Sequence, residues 1–225
     1  MADKKTALIY IGQTPREDIT PEMASYLKGI SLLTETGVLD PFSEEEIRQM
    51  HPRGKDRSLI TKLHTGQSVT VDEDIIHRRI AEKITELKNE GYDACAVMCT
   101  GNFPDLPDCI PVVTSDNAFH RDLDPGRDVH TLGILVPMEE QQERFAALYR
   151  KENRKILTGF ASPYGPEDRI IDAALLLKEK GADCIFLDCM GYSGGVADKV
   201  SLRTGLPCFI PRREIAKQII HLYQK

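Results

Sequence analysis

Apolar residues in this chain gather in short continuous runs of strand length, at residues 6–12, 94–98, 106–112, 131–137, 184–187 and 206–211. Between them lie stretches in which apolar positions recur at helical spacing. Ile75, Ile76, Ile80, Ile84 and Leu87 form one such stripe, and Ile170, Ile171, Ala174, Leu175 and Leu177 form another. Strands that are apolar throughout, and not on alternate positions, are buried on both faces. Separated by helices, they predict parallel sheets covered on each side, which is an α/β fold.

The pattern occurs twice. Residues 91–101 (GYDACAVMCTG) return as residues 181–191 (GADCIFLDCMG), with Gly, Asp, Cys and Gly at the same offsets and ninety positions between the copies. Each copy opens on a glycine suited to ending a helix, crosses a strand run, and sets a cysteine where the strand gives way to a glycine-bearing loop. The order strand, helix, strand, helix, cysteine strand, helix, strand is expected in both halves. The prediction is two pseudo-symmetric lobes, each a mostly parallel sheet flanked by helices. The first is placed at residues 1–120 and the second at 121–211, with the join in the polar, turn-forming stretch 120–127 and a C-terminal helix, 212–225, packing back on the first lobe. Residues 57–72, centred on Thr65 and Gly66, read as a hairpin inserted in the first lobe alone. It is a candidate lid or dimer arm, which leaves a homo-oligomer open.

Charge narrows the partners. A net charge of −6 and a pI near 5.6 run against nucleic acid, which needs clustered Lys and Arg. The most basic stretch, residues 53–57, reads as a solvated loop. No run approaches the roughly 18 apolar residues of a membrane span. The first residues lack the features of a signal peptide, so the expected location is the cytoplasm and the six cysteines are expected as free thiols.

The cysteines divide by position. Cys95 and Cys184 lie within strand runs, and Cys109 and Cys208 lie in or beside later ones, where a free cysteine serves as a small core hydrophobe. Cys99 and Cys189 fall at the C-terminal ends of their strands, where open α/β sheets bind ligands and unpaired N–H groups favour a thiolate. A zinc site is not expected. Cys95 and Cys99 stand about 13 Å apart in an extended strand at ~3.3 Å per residue, and the chain has no CxxC or HxxxH. It also has no dinucleotide fingerprint or P-loop, so no cofactor is expected.

Paired cysteines in repeated α/β lobes resemble the aspartate/glutamate/hydantoin racemase superfamily, and residues 180–191 are close to the hydantoin racemase form of the second-cysteine motif. Within it, the opening 11–16 (IGQTPR), residues 133–141 (GILVPMEEQ) and residues 187–191 (LDCMG) resemble the AroM family over nearly the whole chain. The resemblance implies acid–base chemistry at a carbon beside a carboxylate or carbonyl, with Cys99 and Cys189 as the two thiols facing one cleft. It also implies substrate contacts from Thr14, Arg16, Thr100, Gly101 and Asn102, and from Met190, Gly191, Tyr192 and Ser193. Two departures from the amino-acid racemases stand out. Their acid after the first strand is replaced by Gln13, Thr14, Pro15 and Arg16, and their Thr-His after the second cysteine by Met190 and Gly191. Two functions follow: a racemase- or isomerase-like enzyme acting on a small carboxylate or cyclic amide, with decarboxylation a near neighbour, or a non-catalytic protein that binds such a metabolite.

Overall fold

The computed structural model describes residues 4–52, 58–115, 118–119, 129–150 and 154–224. The chain divides into two compact units, Met1–Asp116 with Ile215–Lys225, and Asn117–Glu214. The stretches 53–57 and 120–127, expected as a basic loop and a linker, lie outside the described residues.

In the first unit, β1 (Lys5–Tyr10) lies between β2 (Leu32–Gly37) and β5 (Ala94–Met98), and β6 (Val112–Val113) completes a parallel sheet in the order β2-β1-β5-β6. In the second, β7 (Thr131–Val136) lies between β8 (Lys155–Phe160) and β9 (Cys184–Leu187), with β10 (Cys208–Phe209) outermost, in the order β10-β9-β7-β8. Both sheets therefore place their strands second, first, third, fourth. The sequence repeat is a repeat of topology.

Helices bury the sheet faces as the periodicity requires. In α3 (Glu73–Asn89), Ile76, Ile80, Ile84 and Leu87 pack with Ala7, Ile9, Cys95 and Val97. Each fully buried isoleucine there contributes roughly 1.5–3 kcal/mol. In α5 (Glu167–Glu179), Ile170, Ile171, Ala174 and Leu177 pack with Leu135, Ile185 and Leu187. The opposite face of that sheet carries Leu132, Ile134, Val136 and Phe186, with the Phe119 ring stacked on Phe186 at 3.9 Å.

The repeated Gly and Asp have local explanations. Gly91 and Gly181 have φ of +78° and +94°, beyond the ends of α3 and α5, and the next residues, Tyr92 and Ala182, donate back to Leu87 and Leu177. This left-handed cap satisfies helix carbonyls and suits glycine. Asp93 then accepts from the backbone N–H of Lys5, and Asp183 from those of His130 and Thr131. Each aspartate thus fastens the start of the central strand beside its own.

One expectation fails here. The first unit has no helix between β5 and β6: residues 99–111 form turns and irregular chain, whereas α6 (Gly194–Thr204) joins β9 to β10. Pro104, Pro107 and Pro111 explain the difference, since each removes a backbone donor and disfavours helix in the residue before it. Cys109, expected as core filling, is exposed within this stretch, because β6 begins only at Val112.

The inserted hairpin consists of β3 (Ser58–Lys62) and β4 (Ser68–Asp72), paired antiparallel, with Gly66 in the turn at φ +83°. The remaining helices are α1 (Thr20–Tyr26), α2 (Glu44–Gln49), α4 (Gln142–Leu148) and α7 (Pro211–Tyr223). The last belongs to the first unit from Ile215 onward, and there the Tyr223 and Thr6 hydroxyls lie 2.8 Å apart. No helix among the described residues is long and apolar enough to cross a membrane.

Candidate active site

Because β1 and β5 are adjacent and parallel, with Tyr10 opposite Met98, the loops after them leave the first sheet at the same edge. One loop carries Thr14 and Arg16 and the other Cys99 to Asn102. In the second unit β9 pairs with β7 in the same manner, and Cys189 follows two residues after its end at Leu187. Each cysteine therefore stands at the C-terminal edge of its sheet, beyond equivalent strands.

The sulfur environments also match. Cys99 and Cys189 are both half-buried, and each Sγ accepts a hydrogen bond from the N–H two residues on, Gly101 at 3.4 Å and Gly191 at 3.3 Å. A donor aimed at sulfur favours the thiolate over the thiol. Cys95 and Cys208 behave otherwise. Burial pushes both up to about 12, assisted at Cys95 by the neighbouring Cys109 and opposed at Cys208 by Arg213. They are packing thiols, whereas Cys184, buried within β9, shares the core with Phe186 and Phe209.

The residues expected beside Cys189 form a tight turn. Tyr192 is buried, and its hydroxyl donates to the Ala161 carbonyl. Burial first, then the nearby Cys189 and Asp188, hold that phenol well above the usual tyrosine range. The Ser193 hydroxyl accepts from the Val196 N–H and caps α6. Arg212, which no local sequence signal marked, reaches this turn from α7. It is buried, with Nε donating to the Met190 carbonyl at 2.7 Å and Nη2 to that of Gly191 at 3.3 Å.

The residues expected beside Cys99 are held differently. Thr14 gives its N–H and its hydroxyl to the two Asp40 oxygens at 2.7 and 2.8 Å. Arg16 is buried and its fork is engaged by Asp18, Nε to Oδ1 at 2.8 Å and Nη2 to Oδ2 at 2.9 Å. Burial works to raise the Asp18 pKa, but the bonds and charge of Arg16, with the charge of Lys62, outweigh it and hold the carboxyl below its ordinary value. Thr100 is half-buried, Gly101 buried and Asn102 exposed.

Two further residues join this edge through contacts distant in sequence. Gln13 is buried and pins the hairpin to the loop after β1: its N–H donates to Lys62, its side-chain oxygen accepts from the His64 N–H, and its amide donates to Leu39 and Phe42. His77 on α3 comes to the loop after Cys99, its ring 5.0 Å from that of Phe103. Among the described residues, no group of three or more His, Cys, Asp or Glu is gathered as a metal site.

The family model described as AroM protein matches residues 6–223. Among solved structures, the chain is similar to arylmalonate decarboxylase at 16% identity and TM-score 0.66, covering 97% of this chain and 92% of that one. It is similar to the maleate isomerase Iso from Pseudomonas putida S16 at 12% identity and TM-score 0.64, with 98% and 94% covered. Allantoin racemase from Klebsiella pneumoniae aligns at 14% identity and TM-score 0.60, with 98% and 87% covered. At such identities the likeness is one of fold. No curated protein matches the chain.

Proposed function

The chain belongs to the AroM family, within the Asp/Glu racemase superfamily, and we propose that it is a cofactor-independent racemase or isomerase acting on a small carboxylate or cyclic amide through Cys99 and Cys189. The observation that carries this reading is the matched setting of the two sulfurs, each beyond an equivalent strand and each accepting a glycine N–H. Packing alone does not require a donor on both thiols.

The chemistry follows from what two thiols can do. One, as thiolate, removes the proton from the carbon beside a carboxylate or carbonyl and leaves an enolate-type carbanion. The other, as thiol, delivers a proton to the opposite face and becomes the thiolate of the next turnover. Inversion needs both groups, since a single base returns the proton to the face it left. The pair must start in opposite protonation states, so its titration is shared. N–H groups of the loops after the cysteines would stabilise the charge that develops on the substrate oxygen. Thr100 and Asn102 are the side chains assigned to the substrate carboxylate, with Gly101, Met190 and Gly191 contributing backbone. Arg16 would have to give up Asp18 to join them, and Thr14, Tyr192 and Ser193 would support the loops from their present bonds.

The test is solvent exchange. Incubation with small 2-substituted carboxylates and hydantoins in deuterated water should place deuterium at the α-carbon, read by NMR, with loss of optical activity. Cys99→Ser and Cys189→Ser should each abolish inversion while retaining exchange from one enantiomer. Saturable binding of these compounds with no exchange would overturn the enzyme reading in favour of a metabolite-binding protein.

A further inference from the structure

We propose that Arg212 is a positioning residue for the Cys189 loop, holding the Met190 and Gly191 carbonyls so that the Gly191 N–H points at the cysteine sulfur. The inference rests on the proposed role of Cys189 and extends it to a residue outside the repeated phrase.

The placement of Arg212 is costly unless the contact is used. It is the second residue of α7, where the helix dipole disfavours a cation, and only 2% of it is exposed. A guanidinium stays protonated, so its charge is buried with it. Two carbonyl bonds help to offset that cost, and their acceptors belong to the three residues that follow Cys189. Peptide planarity transmits the constraint: the Met190 carbonyl and the Gly191 N–H share one peptide plane, so fixing the oxygen at 2.7 Å fixes the direction of the N–H that reaches sulfur at 3.3 Å. The turn is closed further by the Tyr192 N–H donating to the Cys189 carbonyl at 3.2 Å.

The charges around the thiol make the cation relevant as well as the geometry. Asp188 is wholly buried and next to Cys189 in the chain, Tyr192 lies in the turn, and Tyr164 approaches Gly191 from the loop after β8. Burial, with Cys189 and Asp188 nearby, keeps the Tyr192 phenol protonated. On α7, Arg213 is paired with Asp198, and the buried Glu214 follows it. Arg212 is thus a buried cation bonded directly to the loop that carries the sulfur.

The experiment measures iodoacetamide labelling of Cys189, resolved by peptide mass spectrometry, against pH in the full chain and in Arg212→Gln and Arg212→Lys. Arg212→Gln removes the charge and the fork, and the Cys189 midpoint should rise by about one pH unit, a tenfold loss of thiolate at neutral pH. The greater intrinsic reactivity of a more basic thiolate recovers part of this, so the net slowing near pH 7 should be roughly threefold. Arg212→Lys, which keeps the charge and one donor, should fall between, and it carries the test if Arg212→Gln does not fold. Cys99 labelling should be unchanged in both. A folded variant with a wild-type Cys189 midpoint would overturn the assignment. Wild-type Cys189 reacting no faster than the exposed Cys109 would instead overturn the proposed role of Cys189 itself.

Discussion

The backbone N–H of Gly191 donates to the sulfur of Cys189 across 3.3 Å, and Gly101 stands in the same relation to Cys99 at 3.4 Å. Cys95 and Cys208 sit in a different setting, dominated by burial, and the contrast sets an order of reactivity. A thiol at about 12, as at Cys95 and Cys208, is ionised to on the order of one part in 100,000 at pH 7. Iodoacetamide near neutral pH should therefore label Cys99 and Cys189 first and the exposed Cys109 at an ordinary rate, with Cys95, Cys184 and Cys208 last. Peptide mapping against time reads this. Equal rates at Cys99, Cys189 and Cys109 would show that the glycine donors confer no activation.

The hairpin depends on a close approach that only glycine permits. A Cβ at Gly12 would lie 2.3 Å from the Lys62 carbonyl oxygen and 2.3 Å from Thr61 Oγ1, so Gly12→Ala must push β3 away from the end of β1. The displaced strand would lose the bond from the Gln13 N–H to Lys62. Overpacking of this kind costs about 1–3 kcal/mol, and the released hairpin should be cut by trypsin at Lys62 well before the wild type. Unchanged cleavage in a folded Gly12→Ala protein would show that the hairpin is held elsewhere.

Local rules and long-range contacts were not equally legible in the sequence. The strand runs, the Ile76–Ile80–Ile84 stripe, the helix-ending Gly91 and Gly181 and the cysteine positions follow from periodicity and from φ preferences a few residues wide. The proline-rich connection after Cys99 was readable too, but the repeat suggested a second helix and overrode the prolines. Gln13 meets His64 across 51 positions, and Arg212 meets Met190 across 22. Nothing in the sequence near either residue marks such a partner. The partner of Arg16 was hidden for a related reason. Its fork suits a substrate carboxylate, yet Asp18, two residues on, supplies one already.

Acid should weaken the first unit through Asp18. Its folded pKa lies below the ordinary value, against the pull of burial, because Arg16 and Lys62 favour the charged form. As the pH falls the unfolded chain takes up the proton first, so the contribution is complete above about pH 5, declines below it and is gone once the folded value is passed. Asp18→Asn removes the charge at every pH. The difference in Tm between wild type and Asp18→Asn should be largest at about pH 6 and close toward about pH 3. A gap that stays constant or widens in acid would mean that the Arg16 pair does not stabilise the charged form.

The two glycine donors, alike in their bonds to sulfur, should respond differently to an added methyl group. At Gly191 a Cβ would stand 2.6 Å from Pro163 Cγ and 3.0 Å from Pro163 Cβ, and a proline ring cannot rotate aside. At Gly101 the nearest atoms are Phe103 Cζ at 3.3 Å, Phe103 Cε2 at 3.4 Å and Leu59 Cδ2 at 3.5 Å, side-chain ends that can give by a few tenths of an ångström. Gly191→Ala must therefore move the loop, turning its N–H away from Cys189 and straining the carbonyl bonds to Arg212. Gly101→Ala keeps its loop in place. Labelling of Cys189 in Gly191→Ala should slow by roughly threefold or more, the size expected for a one-unit rise in thiol pKa after the gain in nucleophilicity is counted. Labelling of Cys99 in Gly101→Ala should stay within about twofold of wild type, since only the ends of the Phe103 and Leu59 side chains need to shift, by a few tenths of an ångström. The same variants report on turnover: with a substrate found by deuterium exchange, Gly191→Ala should lower inversion more than Gly101→Ala does. If the two behave alike, the glycines serve the backbone of their turns and not the thiols beside them.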